Sequence, residues 1–333
     1  IFSAKLFFDE RSVLSFVIDS IDYDATGYMN AHIDYKYKYN GGAYLQHLSR
    51  LPGDKGGVYK SIGGDGIILL EDTAIHSVRV ELADAYKNRS VLHFLIQFDS
   101  SLEKKIIPQP AVKFVPNEVN VFEKPEFELY LPEASIYDTV SPFYFRGNGS
   151  TANSVSASHR INDESIPVHG EISVRILPDR FIPNTWNDKL VMQRSGRKKS
   201  AQKAERQGEW FAAKFSDFGT FQLFIDSTPP LLNGLGSGDT INLSGARYIQ
   251  FTPTDNFGIK SFRAELNGNW LRFTNDKVRT WTYAFDQRCP YGTHNLRVMV
   301  EDIAGNVTTK NFWIKRGPYN PPKKKKVYRK KRR

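Results

Sequence analysis

The chain has 333 residues, 40% apolar and 25% charged, which excludes disorder throughout and suits two or three domains with separate cores. The net charge of +10 is local: the last 17 residues, GPYNPPKKKKVYRKKRR, hold nine Lys and Arg and no acid, so the body is near neutral and lacks a distributed basic face for tracking phosphates. No apolar run reaches 18 residues, and the single Cys289 excludes an internal disulfide, so neither a membrane-spanning helix nor a disulfide framework is expected.

The first eight residues, IFSAKLFF, turn at Asp9-Glu10 and leave as SVLSFVI, a predicted hairpin. The chain begins without Met, already inside a strand, and is expected to be cut from a longer protein. Asp19, Asp22 and Asp24 follow, with Asp22 and Asp24 on one face of a predicted strand. A calcium loop needs more oxygen ligands, so they read as solvated carboxylates. Ile33, Tyr35, Tyr37 and Tyr39 alternate with polar residues and predict another strand. Gly53–Ser61, GDKGGVYKS, fails the spacing of a phosphate-binding loop and reads as a plain loop. Residues 76–96, HSVRVELADAYKNRSVLHFLI, predict a hairpin turning through Asp84-x-x-x-Asn88. Residues 1–100 form the first domain.

Residues 101–228 carry a different pattern. FELYL (127–131), SPFYF (141–145), EISVRIL (171–177), KLVMQ (189–193), EWFAAKF (209–215) and TFQLFI (220–225) read as strands. The basic stretch 194–209 reads as a solvated hairpin loop. Asp226–Pro230 reads as a linker, since two prolines cannot continue a central strand. The third domain, 229–316, has a strand at Tyr248–Thr252, a turn at Asp255–Gly258, a strand at Ile259–Leu266, and a hairpin signal at Asn267-Gly268. Trp281, Tyr283 and Phe285 alternate on one face.

The last hairpin, His294–Ile314, repeats residues 76–96 without a gap at an offset of 218. The shared residues are His76/His294, Arg79/Arg297, Val80/Val298, Asp84/Asp302, Asn88/Asn306, Phe94/Phe312 and Ile96/Ile314. The opening hairpin matches the one after Ile259 at an offset of 258. The first copy has about 40 extra residues between its hairpins, expected in surface loops, and no counterpart of the strand YIQFT. With Phe 23 and Tyr 16 against Met 3, the expected class is all-β. Three serial antiparallel Ig-like β-sandwich domains are expected, the first and third related by internal repeat, with a disordered basic tail at 317–333.

Chemistry-bearing patterns are scarce. The histidines are His32, His47, His76, His93, His159, His169 and His294, and none makes His-x-His or His-Glu-x-x-His. The recurring His76 and His294 read as structural, and Asp84 and Asp302 as turn caps. No Gly-x-Ser-x-Gly is present. The expectation is no catalytic, metal or cofactor-binding residue in this chain. The one charged cluster, Lys323, Lys324, Lys325, Lys326, Arg329, Lys330, Lys331, Arg332 and Arg333, could hold an anionic polymer through charge alone. A solvated tail is the simpler reading, and nucleic acid is not the expected partner.

Several stretches together resemble one family: IDYDATGYMNAHIDY, LPGDKG, ASIYDTVSPFYF, RINDESIPVHGEISVRI, FSDFGTFQLFIDSTPP, DNFGIKSFRAELNGNWLRF and HNLRVMVEDIAGN. They are similar to the C-terminal region of exported lysostaphin-type (LytM-like) zinc metallopeptidases of Bacteroidota. The resemblance implies a parent enzyme that cleaves peptidoglycan cross-link peptides. Its zinc ligands would lie in an N-terminal domain, in His-x-x-x-Asp and His-x-His motifs that this chain lacks. It also implies a periplasmic, envelope or extracellular location. This chain would then be a non-catalytic accessory region, with the peptidase domain, and peptidoglycan or envelope proteins, as partners. The alternative is an independent adhesin or glycan-binding module, with Tyr35, Tyr37 and Tyr39 as a stacking platform.

Overall fold

The computed structural model describes residues 2–60, 63–99, 101, 112–149, 153–276 and 279–320. The protein is almost entirely β. In the first domain, β1 (Ser3–Phe8), β2 (Arg11–Val17), β3 (Ile75–Ala83) and β4 (Arg89–Gln97) form one antiparallel sheet in the order β2-β1-β3-β4. The second domain has β5 (Asn120–Lys124), β6 (Phe127–Leu131), β7 (Tyr144–Gly147), β8 (Ser158–Ile161) and β9 (Pro167–Ile176). It continues with β10 (Leu190–Ser195), β11 (Ser200–Lys203), β12 (Glu205–Gln207), β13 (Trp210–Asp217) and β14 (Gly219–Ile225). These build two sheets, β11-β10-β14-β8-β7 and β12-β13-β9-β6-β5, packed face to face. Period-two alternation sends Phe127, Leu129, Leu131, Ile172, Val174 and Ile176 into the shared core, each fully buried.

The third domain has β15 (Thr240–Asn242), β16 (Tyr248–Phe251), β17 (Ile259–Leu266) and β18 (Asn269–Trp270). β19 (Thr274–Asn275), β20 (Trp281–Ala284), β21 (Gly292–Asp302) and β22 (Val307–Arg316) complete it. Its sheets are β15-β22-β21-β17-β18 and β16-β20-β19, and only β15 pairs in parallel, with β22. Leu296, Val298 and Val300 of β21 meet Ile249 and Phe251 of the smaller sheet in the core.

The internal repeat is present in three dimensions. The sheet order β2-β1-β3-β4 matches β18-β17-β21-β22. The two sequence offsets also carry the register of one copy onto that of the other. Ser3 faces Ala83 and Ser261 faces Glu301; His76 faces Ile96 and His294 faces Ile314. The first turns are equivalent as well. Asp9 and Glu10 sit at φ 44° and 62°, as Asn267 and Gly268 do at 50° and 86°. Two successive positive φ values make the tight hairpin turn whose twist suits the strands. The first copy therefore holds two non-glycine residues in left-handed backbone.

Four expectations are corrected. Tyr35–Tyr39 is a short helix, α1, rather than a strand. The Asp34 carboxylate accepts the Tyr37 N–H at 2.9 Å as a cap, and Tyr35 stacks on Tyr39 one turn later. Asp22 and Asp24 share no strand face either: Asp22 precedes, and Asp24 lies in the first turn of, a 3-10 helix at Tyr23–Asn30. The stretch 194–209 is not a free loop, because β11 pairs with β10 and β12 with β13, the chain crossing between sheets at buried Ala204. The start of the tail is tied down: Asn320 N–H donates to the Ser244 carbonyl and Arg247 lies over the Tyr319 ring. Residues 321–333, with all nine tail cations, lie outside the described residues.

In the first domain the layer facing the sheet is the inserted segment. Val58 and Tyr59 join the core of Ala4, Leu6, Leu14, Phe16, Val78 and Val80, with Met29, Leu48 and Ile68 packed around it. The insertion stops short of β4. Leu92 and Phe94, on the core side of that strand, are 59% and 42% exposed. Their counterpart strand β22 has Ile314 fully buried and Phe312 against Phe251. β4 is also a sheet edge, and a long apolar edge invites self-association. Residues 229–320 alone should therefore melt cooperatively as a monomer, while residues 1–100 alone should self-associate. Analytical ultracentrifugation with thermal melts checks this; a monomeric, cooperative 1–100 fragment would show that β4 needs no cover.

Candidate functional site

Of the seven histidines, His32, His76, His159, His169 and His294 have side-chain partners, while His93 is exposed on β4. His76 Nδ1 and Nε2 lie 2.7 and 3.0 Å from the carboxylates of Asp9 and Asp72. Carboxylates only accept, so both contacts are made when both nitrogens donate, and they favour the imidazolium form. Hydrogen bonds to Asp9 and then Asp72 raise its pKa. His294 takes the same place in the second copy, but its Nδ1 meets the neutral Asn267 amide at 2.9 Å. The recurrence of these histidines is thus the clamping of the first hairpin's turn to the strand beside it. His32 is buried against Tyr59. His159 is buried between Tyr144 and Phe127, with Nε2 lacking a partner. Burial pushes both down to about 4. Cys289 is buried and its thiol is pushed up by burial, a poor nucleophile.

Stretches that carry the family resemblance meet instead at a joint between the inserted segment and the second domain. Gly53 N–H donates to the Tyr137 carbonyl at 2.8 Å. A Cβ on Gly53 would lie 2.2 Å from the Ile136 carbonyl oxygen, so two backbones touch where only glycine fits. Tyr28 stacks on His169 at 4.3 Å, and Tyr137 Oη donates to the Gly27 carbonyl at 2.7 Å. Beside them, Glu164 collects three donors. Arg194 Nη1 lies at 2.8 Å, Tyr39 Oη at 2.9 Å and the Arg197 N–H at 3.2 Å. Burial alone would push the Glu164 carboxyl up; these donors overcome it and hold the group at about 2. Arg197 also stacks over Tyr39 at 3.8 Å.

Tyr35 and Tyr39 therefore face the joint and do not form a solvent-facing platform; Tyr37 is 49% exposed. A cleft of about 400 Å³ runs along this joint, walled by Ile33, Tyr35, Leu51, Tyr137 and Ile166. A second, larger trough of about 690 Å³ lies on the outer face of the β12-β13-β9-β6-β5 sheet, where Tyr130 is 43% exposed and Arg175 covers Trp210. Side chains able to ligate a metal converge elsewhere. Among the described residues one such group is found, Asp226, Asp255 and Asp302. Sequence inspection missed it because the three lie on separate turns; Asp302 was read as a turn cap alone. Asp19, Asp22 and Asp24 are not brought together with other ligands.

A family profile described as a Zu5-like domain matches residues 111–226, the second domain. No match was found among curated proteins. Similar solved structures include SGBP-B of a Bacteroides ovatus mixed-linkage glucan utilization locus, in complex with a mixed-linkage heptasaccharide. It is 8% identical, over 95% of this chain and 60% of that one, with a TM-score of 0.16. The chain thus spans about 60% of that protein's length. A 1.5-MDa bacterial ice-binding adhesin is 11% identical over 95% and 86%, with a TM-score of 0.16. A Ca2+-stabilized ice-binding adhesin of an Antarctic bacterium is 11% identical over 94% and 89%, with a TM-score of 0.18. Likenesses at these TM-scores carry no functional argument.

Glu164→Gln should leave Arg194, 3% exposed, with Asp217 at 3.5 Å as its remaining carboxylate, and cost roughly 1–3 kcal/mol in denaturant unfolding. Gly53→Ala should part the insertion from the second domain and open residues 18–74 to limited proteolysis. Uncleaved Gly53→Ala protein would show that the joint tolerates separation.

The histidines predict opposite pH limbs. His32 and His159 have folded pKa values below the unfolded value of about 6.5. Their stability is complete above that value and is lost as pH falls towards about 4. His76 is raised, so its contribution is present below about 6.5 and fades as pH rises through its folded value. Proton NMR titration of the ring signals should show His76 titrating above, and His159 far below, the ordinary range; Asp9→Asn should lower only His76.

Proposed function

We propose that this chain is a non-catalytic β-domain array of the bacterial cell envelope that holds an attached catalytic domain in a fixed stance and docks it to envelope partners. The observation that carries the reading is the first joint. Four distant stretches lock the insertion to the second domain through backbone contact at Gly53 and the buried Glu164–Arg194 pair. Such a joint suits a rigid spacer, with recognition left to exposed loops and faces. The sequence resemblance supports the finer reading. The attached domain is a lysostaphin-type zinc peptidase acting on peptidoglycan cross-link peptides, and the zinc belongs to that domain. An envelope or extracellular location goes with it.

A second reading, an independent adhesin or glycan-binding module, is favoured by the trough carrying Tyr130 on the outer sheet face of the second domain. An exposed aromatic on a concave surface offers a stacking face with a polar surround.

The test uses the chain and its complete reading frame. The complete protein should release cross-link peptides from isolated sacculi. This chain alone should not, and should hold no stoichiometric zinc by elemental analysis. In the complete protein, Gly53→Ala should depress cleavage of sacculi while sparing a short soluble cross-link peptide. Equal loss on both substrates, or none on either, would sink the positioning role. Saturable binding of this chain to a soluble envelope oligosaccharide, abolished by Tyr130→Ala, would decide for the second reading.

A further inference from the structure

At the joint between the second and third domains, three acidic side chains converge from separate elements. Asp226 follows β14 at the start of the linker, Asp255 opens the turn before β17, and Asp302 ends β21. Each presents a carboxylate oxygen within 4.8 Å of those of the other two. Asp226 and Asp302 are fully buried and Asp255 is half-buried. None of the three forms an ion pair with Lys or Arg among the described residues. Three buried carboxylates without a compensating cation repel one another and are poorly solvated.

Part of their hydrogen-bonding capacity is used by the backbone. Asp226 Oδ1 accepts the Thr228 N–H and the Asn256 amide. Asp255 Oδ2 accepts the N–H groups of Phe257 and Gly258 at 2.8 and 2.9 Å. Asp302 accepts the Asn306 N–H and side-chain amide at 2.7 and 2.8 Å. Two oxygens are left over: Asp226 Oδ2 and Asp255 Oδ1 are buried and have no partner. A buried oxygen without a donor in a native fold calls for an explanation, and an ion is one of the few that fit. The first copy supplies an internal contrast. Asp84 makes the same two bonds to Asn88 at 2.9 and 2.7 Å, yet it is only half-buried and belongs to no carboxylate group among the described residues.

We propose that Asp226, Asp255 and Asp302 form a calcium site that fixes the angle between the second and third domains. The donors are all oxygen and all anionic, which suits a hard cation and excludes the softer preferences of zinc or copper. The donor set favours calcium over magnesium: calcium takes roughly six to eight oxygens in flexible geometry, whereas magnesium keeps several waters and is usually held by only about one or two carboxylates. The ion would neutralise the like charges and satisfy the leftover oxygens. It would also tie the linker carboxylate to two turns of the third domain. Contacts already cross this joint: Asn306 donates to the Asp226 carbonyl, Lys189 Nζ to the Gly305 carbonyl, and Phe224 packs against Phe257. A cation adds a link that the surroundings can remove. The site stands on its own geometry; only the weak affinity expected of it rests on the envelope reading.

The test uses the full chain, with calcium chloride, magnesium chloride and a chelator as probes. Calcium should raise the melting midpoint saturably at a 1:1 stoichiometry in calorimetric titration. The dissociation constant should be on the order of 10⁻⁴–10⁻³ M, the range of extracellular modules. Small-angle scattering should show a narrower spread of shapes with calcium than with chelator. Asp226→Asn should abolish the calcium response yet melt no lower than the parent in chelator, because one of three like charges is gone. Asp84→Asn should keep the full response. No shift at tenfold above that range, a response retained in the Asp226→Asn and Asp255→Asn double variant, or an equal response to magnesium would each overturn the calcium assignment.

Discussion

Every sheet in this chain has an apolar face, and the architecture follows from what covers it. The second domain covers its two sheets with each other. The third covers a five-stranded sheet with a three-stranded one, so that Phe251 and Ile249 lie over Leu296, Val298 and Val300. The first domain repeats the strand order of the third without the smaller sheet, and its insertion supplies the lid through Val58 and Tyr59. An insertion that must cover a core cannot be a free loop. Its two ends are fixed by the hairpins, its middle by the core, and its outer side is therefore presented to the second domain. The joint at Gly53 and Glu164 is a consequence of that placement.

The two joints use different physics. At the first, backbones touch at Gly53, and a buried ion pair is well supplied with donors, so the Glu164 charge is stabilised although it is nearly enclosed. At the second, three carboxylates meet with their donors incomplete. Burial pushes the Asp226 carboxyl up, and the neighbouring Asp255 and Asp302 add to it. One joint is closed by the chain's own residues. The other is left short of positive charge, which makes it the place where ionic conditions can act on the shape of the array.

The repeat also shows how one scaffold carries different electrostatics. Asp9 with His76 and Asn267 with His294 occupy the same turn and make the same contacts. A single change from amide to carboxylate puts an anion beside the histidine of the first copy where the second has a neutral amide. The second position of the turn changes from Gly268 to Glu10, which then reaches Arg79 at 2.7 Å. The first copy thus exchanges glycine's backbone freedom for an ion pair across the sheet.

The sequence by itself determined the strands with clear alternation and the repeat. Its two offsets carry the pairings of one copy onto those of the other, Ser3–Ala83 onto Ser261–Glu301, once the structure supplies the first. It determined Asp84 and Asp302 as turn caps, since their bonds to Asn88 and Asn306 are local; that His76 and His294 fasten the turn of another hairpin came only with the fold. The sequence misled at Tyr35–Tyr39, where alternation over five residues cannot separate a strand from a short helix, and the decision fell to the Asp34 cap. What only the tertiary structure decided was everything made of distant pieces. The lid on the first sheet, the Glu164–Arg194 joint, and the meeting of Asp226, Asp255 and Asp302 join residues tens of positions apart. Their proximity follows from how the sheets stack, and stacking leaves no period in the sequence.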